Sequence, residues 1–354
     1  MPAPIARKPA RSLADVASGS RPRPVGVHGC STWAAFSVYN PAMRALVVCI
    51  AIAGCGGSDP SLIDQVDGTR YQADLTTIAG PRSPGIPHWQ EVQDLCASRF
   101  ASLGFEVERQ TYATGVNVIG VHTGTKLPAE RVVVSAHYDA VPNCDGADDN
   151  GTGVAATLEA ARVLSLGPHD RTLVVACWDE EERGLIGSKA YVARAKAAGD
   201  SIVLALVFEM VGYRNDAPMS QKSDPQLEAI FPDAGAQMKA NDYRGDFALV
   251  VNDETAASAV ADMQAVAPSV GLPIINLSLL APLKGALDPL RRSDHAPFWD
   301  ADYPALFITD TADYRNTHYH CYNSTADALA DIDFDFAVAN TKVVVAAAVA
   351  ALDR

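Results

Sequence analysis

The sequence predicts an α/β fold: a single-domain three-layer sandwich with helices on both faces of a central, mainly parallel mixed sheet. Short apolar runs of β character alternate with helical stretches, the signature of one α/β unit. Between Val132 and Met210 the alternation forms a β-α-β-α-β series, whose crossover helices favour parallel strands. The chain has 354 residues and 48% hydrophobic content, enough to bury a large core.

In chain order, the first predicted helix lies near His88 to Leu103. Strands follow around Glu106–Thr111, Asn117–His122 and Val132–Ala136. A helix from about Gly151 to Leu166 carries Val154, Leu158, Ala161 and Leu164 along one face, the spacing of a helix packed on a sheet. Strand Thr172–Trp178, a helix from about Gly184 to Ala198 and strand Ile202–Met210 complete the series. Residues 214–292, rich in Pro, Asp and Ala, read as loops and helices around the mouth of a site. Strand Ala305–Thr309 and a helix from about Phe334 to Leu352 close the domain, and no internal repeat is present.

The net charge of −14 conceals an asymmetry, because residues 1–54 hold six Arg and Lys against one Asp and the remainder therefore carries −19. So acidic a body argues against nucleic acid as a partner, since phosphate binding needs a basic face. Met43-Arg44 followed by the apolar run Ala45 to Gly54 and small residues reads as a secretory signal. Ten apolar residues span about 15 Å as helix, about half of a hydrocarbon core, too short for a permanent transmembrane segment. The ending Ile52-Ala53-Gly54-Cys55 resembles a bacterial lipoprotein signal, which implies Cys55 as the lipidated first residue of the mature protein. The expected organisation is a leader and signal over residues 1–54, a linker over 55–80 and the main domain over 81–354. The expected location is the cell envelope, with the membrane touched only through the lipid.

Export makes the seven cysteines interpretable. Cys30 and Cys49 fall in the discarded part, and Cys96 and Cys177 sit in apolar patterns as small buried hydrophobes. Cys144 and Cys321 lie in loops and could pair in an oxidising compartment. No CxxC spacing occurs, so a metal site must be built from His and carboxylates.

Such residues recur at strand ends. His137 follows the strand Val132–Ala136, and Asp139 can fix its tautomer. Gly146-Ala147-Asp148-Asp149-Asn150-Gly151 places two carboxylates before a helix, and a carboxylate, unlike a histidine, can bridge two cations. Glu180-Glu181-Glu182 directly follows the buried strand ending at Trp178. Consecutive residues of an extended segment point opposite ways, so one carboxylate can hold metal while its neighbour takes a proton. Glu209 ends an apolar run where an acid is costly unless ionically satisfied. His318 and His320 follow the last strand.

In this order the strings Ala136-His137-Tyr138-Asp139-Ala140, Gly146–Gly151, Glu181-Glu182-Arg183-Gly184-Leu185-Ile186-Gly187-Ser188, Ser293-Asp294-His295-Ala296-Pro297-Phe298 and Tyr319-His320 resemble the M28 family of zinc aminopeptidases, over about Arg82 to Asp333. The resemblance implies a zinc aminopeptidase-like fold and hydrolysis of the N-terminal peptide bond of peptides. It implies two Zn2+, one held by His137 and Glu209, the other by Glu182 and His320. Asp148, the first Asp of its string, is shared between them, and Glu181 is the general base. The chain departs from the family pattern in two places. Glu209 stands where many members have Asp, and about three additional residues follow His320, leaving His318 a rival ligand. A glutaminyl-cyclase-like enzyme is opposed by His137 and the paired-glutamate string. An M20-type carboxypeptidase or deacylase is opposed by the Gly146 and Ser293 strings, and a non-catalytic anchored binding module by the complete ligand set. Because Cys144 and Cys321 neighbour ligands that would converge on one metal pair, a disulfide between them is expected.

Overall fold

The structure, a computed structural model, describes residues 60–354. The predicted leader and signal and the lipidation of Cys55 lie outside the described residues. Eight strands form one sheet: β1 (Glu106–Thr111), β2 (Val116–His122), β3 (Leu127–His137), β4 (Arg171–Trp178), β5 (Ser201–Glu209), β6 (Ala248–Asp253), β7 (Ile274–Leu279) and β8 (Ala305–Thr309), in the order β1-β2-β4-β3-β5-β8-β6-β7. The four central strands β4, β3, β5 and β8 run parallel. At one edge β1 and β2 are antiparallel additions, and at the other β6 and β7 run parallel to each other and antiparallel to β8.

The central strands are near-continuous apolar runs buried on both faces, as parallel strands covered by helices must be. The helices are α1 (Pro60–Ile63), α2 (Gly68–Ile78), α3 (Pro87–Ser102), α4 (Gly153–Leu164), α5 (Ile186–Ala198), α6 (Pro225–Ile230), α7 (Pro232–Ala240), α8 (Ala257–Val266), α9 (His295–Asp300) and α10 (Phe334–Asp353). One core layer joins α2, α3, α4, α8 and α10 to the sheet. The opposite layer is built on α5, α7 and α9, where Trp178, Tyr191 and Phe298 pack with ring centroids 4.8–6.4 Å apart. α10 is long and apolar enough to cross a membrane, with mean hydropathy 1.6, yet 78% of that stretch is buried inside the fold, so it is a core helix.

Two regions differ from the sequence reading. The predicted linker over residues 55–80 contains α1 and α2 within its described part. Asp67 caps α2 by accepting from the amides of Thr69 and Arg70, and Tyr71, Leu75 and Ile78 are fully buried. The irregular stretch 214–292 holds β6 and β7, which extend the sheet by two strands. Asn252 and Asn276 interrupt their apolar alternation, and these side chains satisfy each other across the strands at 2.7 Å, which removes the penalty of burying them.

Arg82 is fully buried and fixes how the turns above the sheet sit. Its Nε donates to the carbonyl of Tyr138 at 2.9 Å, Nη1 to those of Gly80 at 3.0 Å and Asp145 at 2.5 Å, and Nη2 to that of Gly146 at 2.7 Å. One planar cation thereby ties the end of α2 to the loop that follows β3.

Candidate metal centre

The candidate ligands gather at the carboxyl ends of the parallel strands, where an α/β sheet presents its crevice. His137 is the last residue of β3 and Glu209 the last of the adjacent β5. Glu181 and Glu182 follow β4, Asp149 lies in the turn between β3 and α4, and His320 lies in the short helical turn Tyr319–Ser324 after β8. His137 Nε2 lies 3.5 Å from Glu209 Oε2 and 3.5 Å from Asp149 Oδ1. His320 Nε2 lies 3.2 Å from Asp149 Oδ2 and 3.1 Å from Glu182 Oε2. The two oxygens of Asp149 thus face different imidazoles.

Glu181 Oε2 stands farther from His137 Nε2, at 3.9 Å. Tetrahedral zinc with bonds of about 2.0–2.1 Å separates its ligand atoms by about 3.3 Å. The four spacings of the two imidazoles from Asp149, Glu209 and Glu182 match that figure, and the Glu181 spacing exceeds it. A metal also fits the orphaned atoms: His137 Nε2, Asp149 Oδ1 and Glu182 Oε1 are buried without hydrogen-bond partners among the described residues.

Asp148 departs from the sequence expectation. Its Oδ1 accepts from Gly212 N at 3.0 Å and Thr152 Oγ1 at 3.2 Å, its Oδ2 from Asn316 Nδ2 at 2.8 Å, and neither oxygen faces an imidazole. Its carboxyl pairs instead with that of Asp310, and burial pushes both upward in pKa. The paired glutamates differ as well. Glu180 adopts φ 54°, and Glu181 to Arg183 form a single helical turn rather than an extended segment. Glu180 turns back onto Arg183 at 3.0 Å and onto Thr114, away from the centre. His318 bonds Asp331 at 2.8 Å, which removes it as a ligand rival. His295 stacks on Phe307 with centroids 4.1 Å apart, and burial lowers its pKa to about 3.

Two carboxylates hold the turns that carry the ligands. Asp139 accepts from the amides of Glu181 at 3.0 Å and Glu182 at 3.3 Å, and its Oδ1 lies 3.4 Å from His137 Nδ1. Asp327 accepts from the amides of Asp148 and Asp149, both at 2.9 Å. Asp327 and Asn316 had no role in the sequence reading, and Ser293, there only the first residue of a matched string, donates from Oγ to Glu209 Oε2 at 2.7 Å. Cys144 and Cys321 form a disulfide with Cα atoms 5.5 Å apart, and Cys96 and Cys177 are free and buried.

The field of the cluster follows from its composition. Burial pulls the imidazolium of His137 down, but Glu209, Glu181 and the other carboxylates outweigh it and its pKa is raised. Burial likewise opposes His320, whose bonds to Asp149 and Glu182 lift it to about 11. Burial pushes Glu181 well up and Glu182 to about 7. A pocket that draws protons onto both histidines draws divalent cations for the same reason. Beside Glu209 the centre opens into a pocket lined by Phe231, Met238, Phe247, Leu249, Leu277 and Phe307, with Arg292 and Tyr319 at its rim.

Comparison with known proteins places this geometry. The chain is 32% identical over 272 residues to the uncharacterized protein YfbL of Escherichia coli (strain K12), covering 72% of this chain and 79% of that one. It is 28% identical over 288 residues to leupeptin-inactivating enzyme 1 of Streptomyces exfoliatus, covering 74% of this chain and 56% of that enzyme. The fold is similar to the solved structure of BSAP, a zinc aminopeptidase from Bacillus subtilis, with a TM-score of 0.61 at 16% identity, covering 81% of this chain and 96% of that one. Residues 117–348, which span every candidate ligand, match peptidase family M28, and the chain belongs to that family.

Proposed function

We propose that the protein is a zinc aminopeptidase that holds two ions and hydrolyses the N-terminal peptide bond of peptides bearing an apolar first residue. The observation that carries this is the pair of donor sets, His137 with Glu209 and His320 with Glu182, facing opposite oxygens of Asp149. In this reading Asp149, not Asp148, is the shared ligand. Zinc bound there supplies Lewis-acid polarisation of the scissile carbonyl and acidifies the attacking water.

Glu181, set back from ligand distance, accepts the proton of that water and delivers it to the leaving amine. Its backbone amide is fixed by Asp139, which also orients His137, so base and ligand move as one unit. The apolar pocket beside Glu209 takes the first side chain and excludes water from it. At the rim, the Tyr319 hydroxyl accepts from Arg292 Nη2 at 3.0 Å, placing polar groups where the peptide backbone enters.

The protein is proposed to be exported and held in the envelope by lipid on Cys55. The Cys144–Cys321 disulfide, which belongs to an oxidising compartment, supports export.

Glu181→Gln is expected to lower turnover by about two to four orders of magnitude while zinc content stays at the wild-type level. Chelation should abolish activity and zinc should restore it. Near-wild-type turnover in this variant would remove the general-base assignment. Asp149→Asn should depress occupancy of both ions in metal analysis, whereas Asp148→Asn should leave the stoichiometry intact, and the reverse pattern would return the bridge to Asp148. Substrates beginning with Leu, Met or Phe should exceed those beginning with Gly or Asp in kcat/KM by at least about tenfold, since each buried methylene contributes about 1–3 kcal/mol to discrimination. A flat profile would count against the pocket. Cys55→Ala should move the protein from membrane to soluble fractions, and unchanged sedimentation would discard the anchor.

A further inference from the structure

The two histidines of the centre are held by different means. His137 ends a buried strand, is 1% exposed, and its Nδ1 lies 3.2 Å from the backbone oxygen of Asp139 and 3.4 Å from its carboxylate. The side chain of His320 is 16% exposed, and its Nδ1 meets the phenolic oxygen of Tyr322 at 3.1 Å instead of a carboxylate. Tyr322 is itself 60% exposed. The backbone beneath it is unfavourable, since His320 at φ 55° and Cys321 at φ 54° both occupy the left-handed region. Consecutive non-glycine residues there persist only when their surroundings impose it.

The surroundings that impose it are covalent. Cys321 is joined to Cys144, four residues before Asp148, and its Sγ accepts from the amide of Asp327 at 3.4 Å. The carboxylate of Asp327 in turn holds the amides of Asp148 and Asp149. The turn bearing His320 is thereby tied to the loop bearing Asp149. Cys321 and Tyr322 both lie in the stretch where the chain carries additional residues after His320.

We propose that Tyr322 and the Cys144–Cys321 disulfide are positioning devices for His320, so that breaking the disulfide releases the ion of the Asp149–Glu182–His320 group and leaves that of the His137–Glu209 group in place. The inference rests on the two-ion reading above. With Nε2 turned to the metal, Nδ1 carries the proton and donates it to the Tyr322 oxygen, which fixes the tautomer and ring angle. Reduction by a water-soluble phosphine cleaves the S–S bond to two thiols while phosphorus takes oxygen from water and becomes the phosphine oxide. The left-handed turn then loses its covalent tether and His320 its fixed place. The second ion would load only where the disulfide has formed, which leaves the peptidase incomplete before export.

The test measures zinc per chain at buffered free zinc in the full-length protein, before and after phosphine reduction and alkylation of Cys144 and Cys321, with a phosphine chosen because dithiols bind zinc. Two ions before and one after is the expected result, with far-UV circular dichroism unchanged. Tyr322→Phe should raise the free zinc needed to load the second ion by about 10–100-fold without moving the first. Asp139→Asn, which loosens both His137 and the turn carrying Glu182, should weaken both sites, so the selective loss in Tyr322→Phe is distinguishable from general loosening of the centre. Excess zinc should return kcat in Tyr322→Phe. Two ions retained at wild-type affinity in both the reduced protein and Tyr322→Phe would overturn the proposal. So would loss of both ions together on reduction, because the disulfide would then be holding the fold rather than His320. A wild-type protein that binds one ion would instead overturn the two-ion reading.

Discussion

The structure depends on convergence of carboxylates in a place where carboxylates are costly. Asp149, Glu181, Glu182 and Glu209 meet two imidazoles at the ends of β3, β4 and β5, with Asp139, Asp148, Asp294 and Asp327 buried around them. Left uncompensated, so much buried negative charge would take up protons, and burial does push Glu181, Asp294 and Asp327 upward, the last two to about 7. The energetic problem and the chemical capability are the same fact. A site strained enough by like charge to recruit protons binds divalent cations tightly, and the cations then restore the ionised carboxylates that catalysis needs.

Holding that arrangement falls to groups that never touch substrate. Asp139 and Asp327 act alike: each spans two consecutive backbone amides of a ligand-bearing turn, 181 and 182 in one case, 148 and 149 in the other. A carboxylate accepting two consecutive amides fixes both residues of the turn at once, so each ligand-bearing turn is held from its backbone rather than through the ligands themselves. Arg82 supplies the opposite sign from below, and its donors go to carbonyls of the same loop rather than to the carboxylates, so it steadies the loop without competing for the ligands. Ser293 and Asn150 both reach Glu209 Oε2, at 2.7 and 3.5 Å.

Much of this was legible in the sequence because His137, Glu181, Glu182 and Glu209 sit at or close after the ends of apolar strands, and a strand end is a position that alternation reveals. That position marked His137 and Glu209 as candidates, whereas the choice of Glu182 over its neighbours and of His320 over His318 came from the M28 resemblance. The choice between Asp148 and Asp149 was not legible, because adjacent identical side chains differ only in where the backbone aims them. What takes Asp148 away from the histidines are Gly212 and Asn316, 64 and 168 residues distant. The strands β6 and β7 escaped for a related reason. Their polar Asn252 and Asn276 break the local pattern and find each other, Ser278 and the Val250 carbonyl as partners once the sheet has formed. α2 was hidden among polar residues, since its buried apolar side chains Tyr71, Leu75 and Ile78 are too few to stand out from the sequence.

Glu209 shows how a departure from the family pattern is absorbed. The extra methylene relative to Asp carries the carboxylate further from β5, and Ser293 meets it with a hydroxyl at 2.7 Å that fixes one oxygen beside His137. Glu209 pairs in register with Thr309 of β8, and both residues line the apolar pocket. The carboxylate that faces His137 therefore also lines that pocket. On the proposed reading one carboxylate would then touch both the metal and the substrate's first side chain, so a change in its length would be felt by metal binding and side-chain selection together.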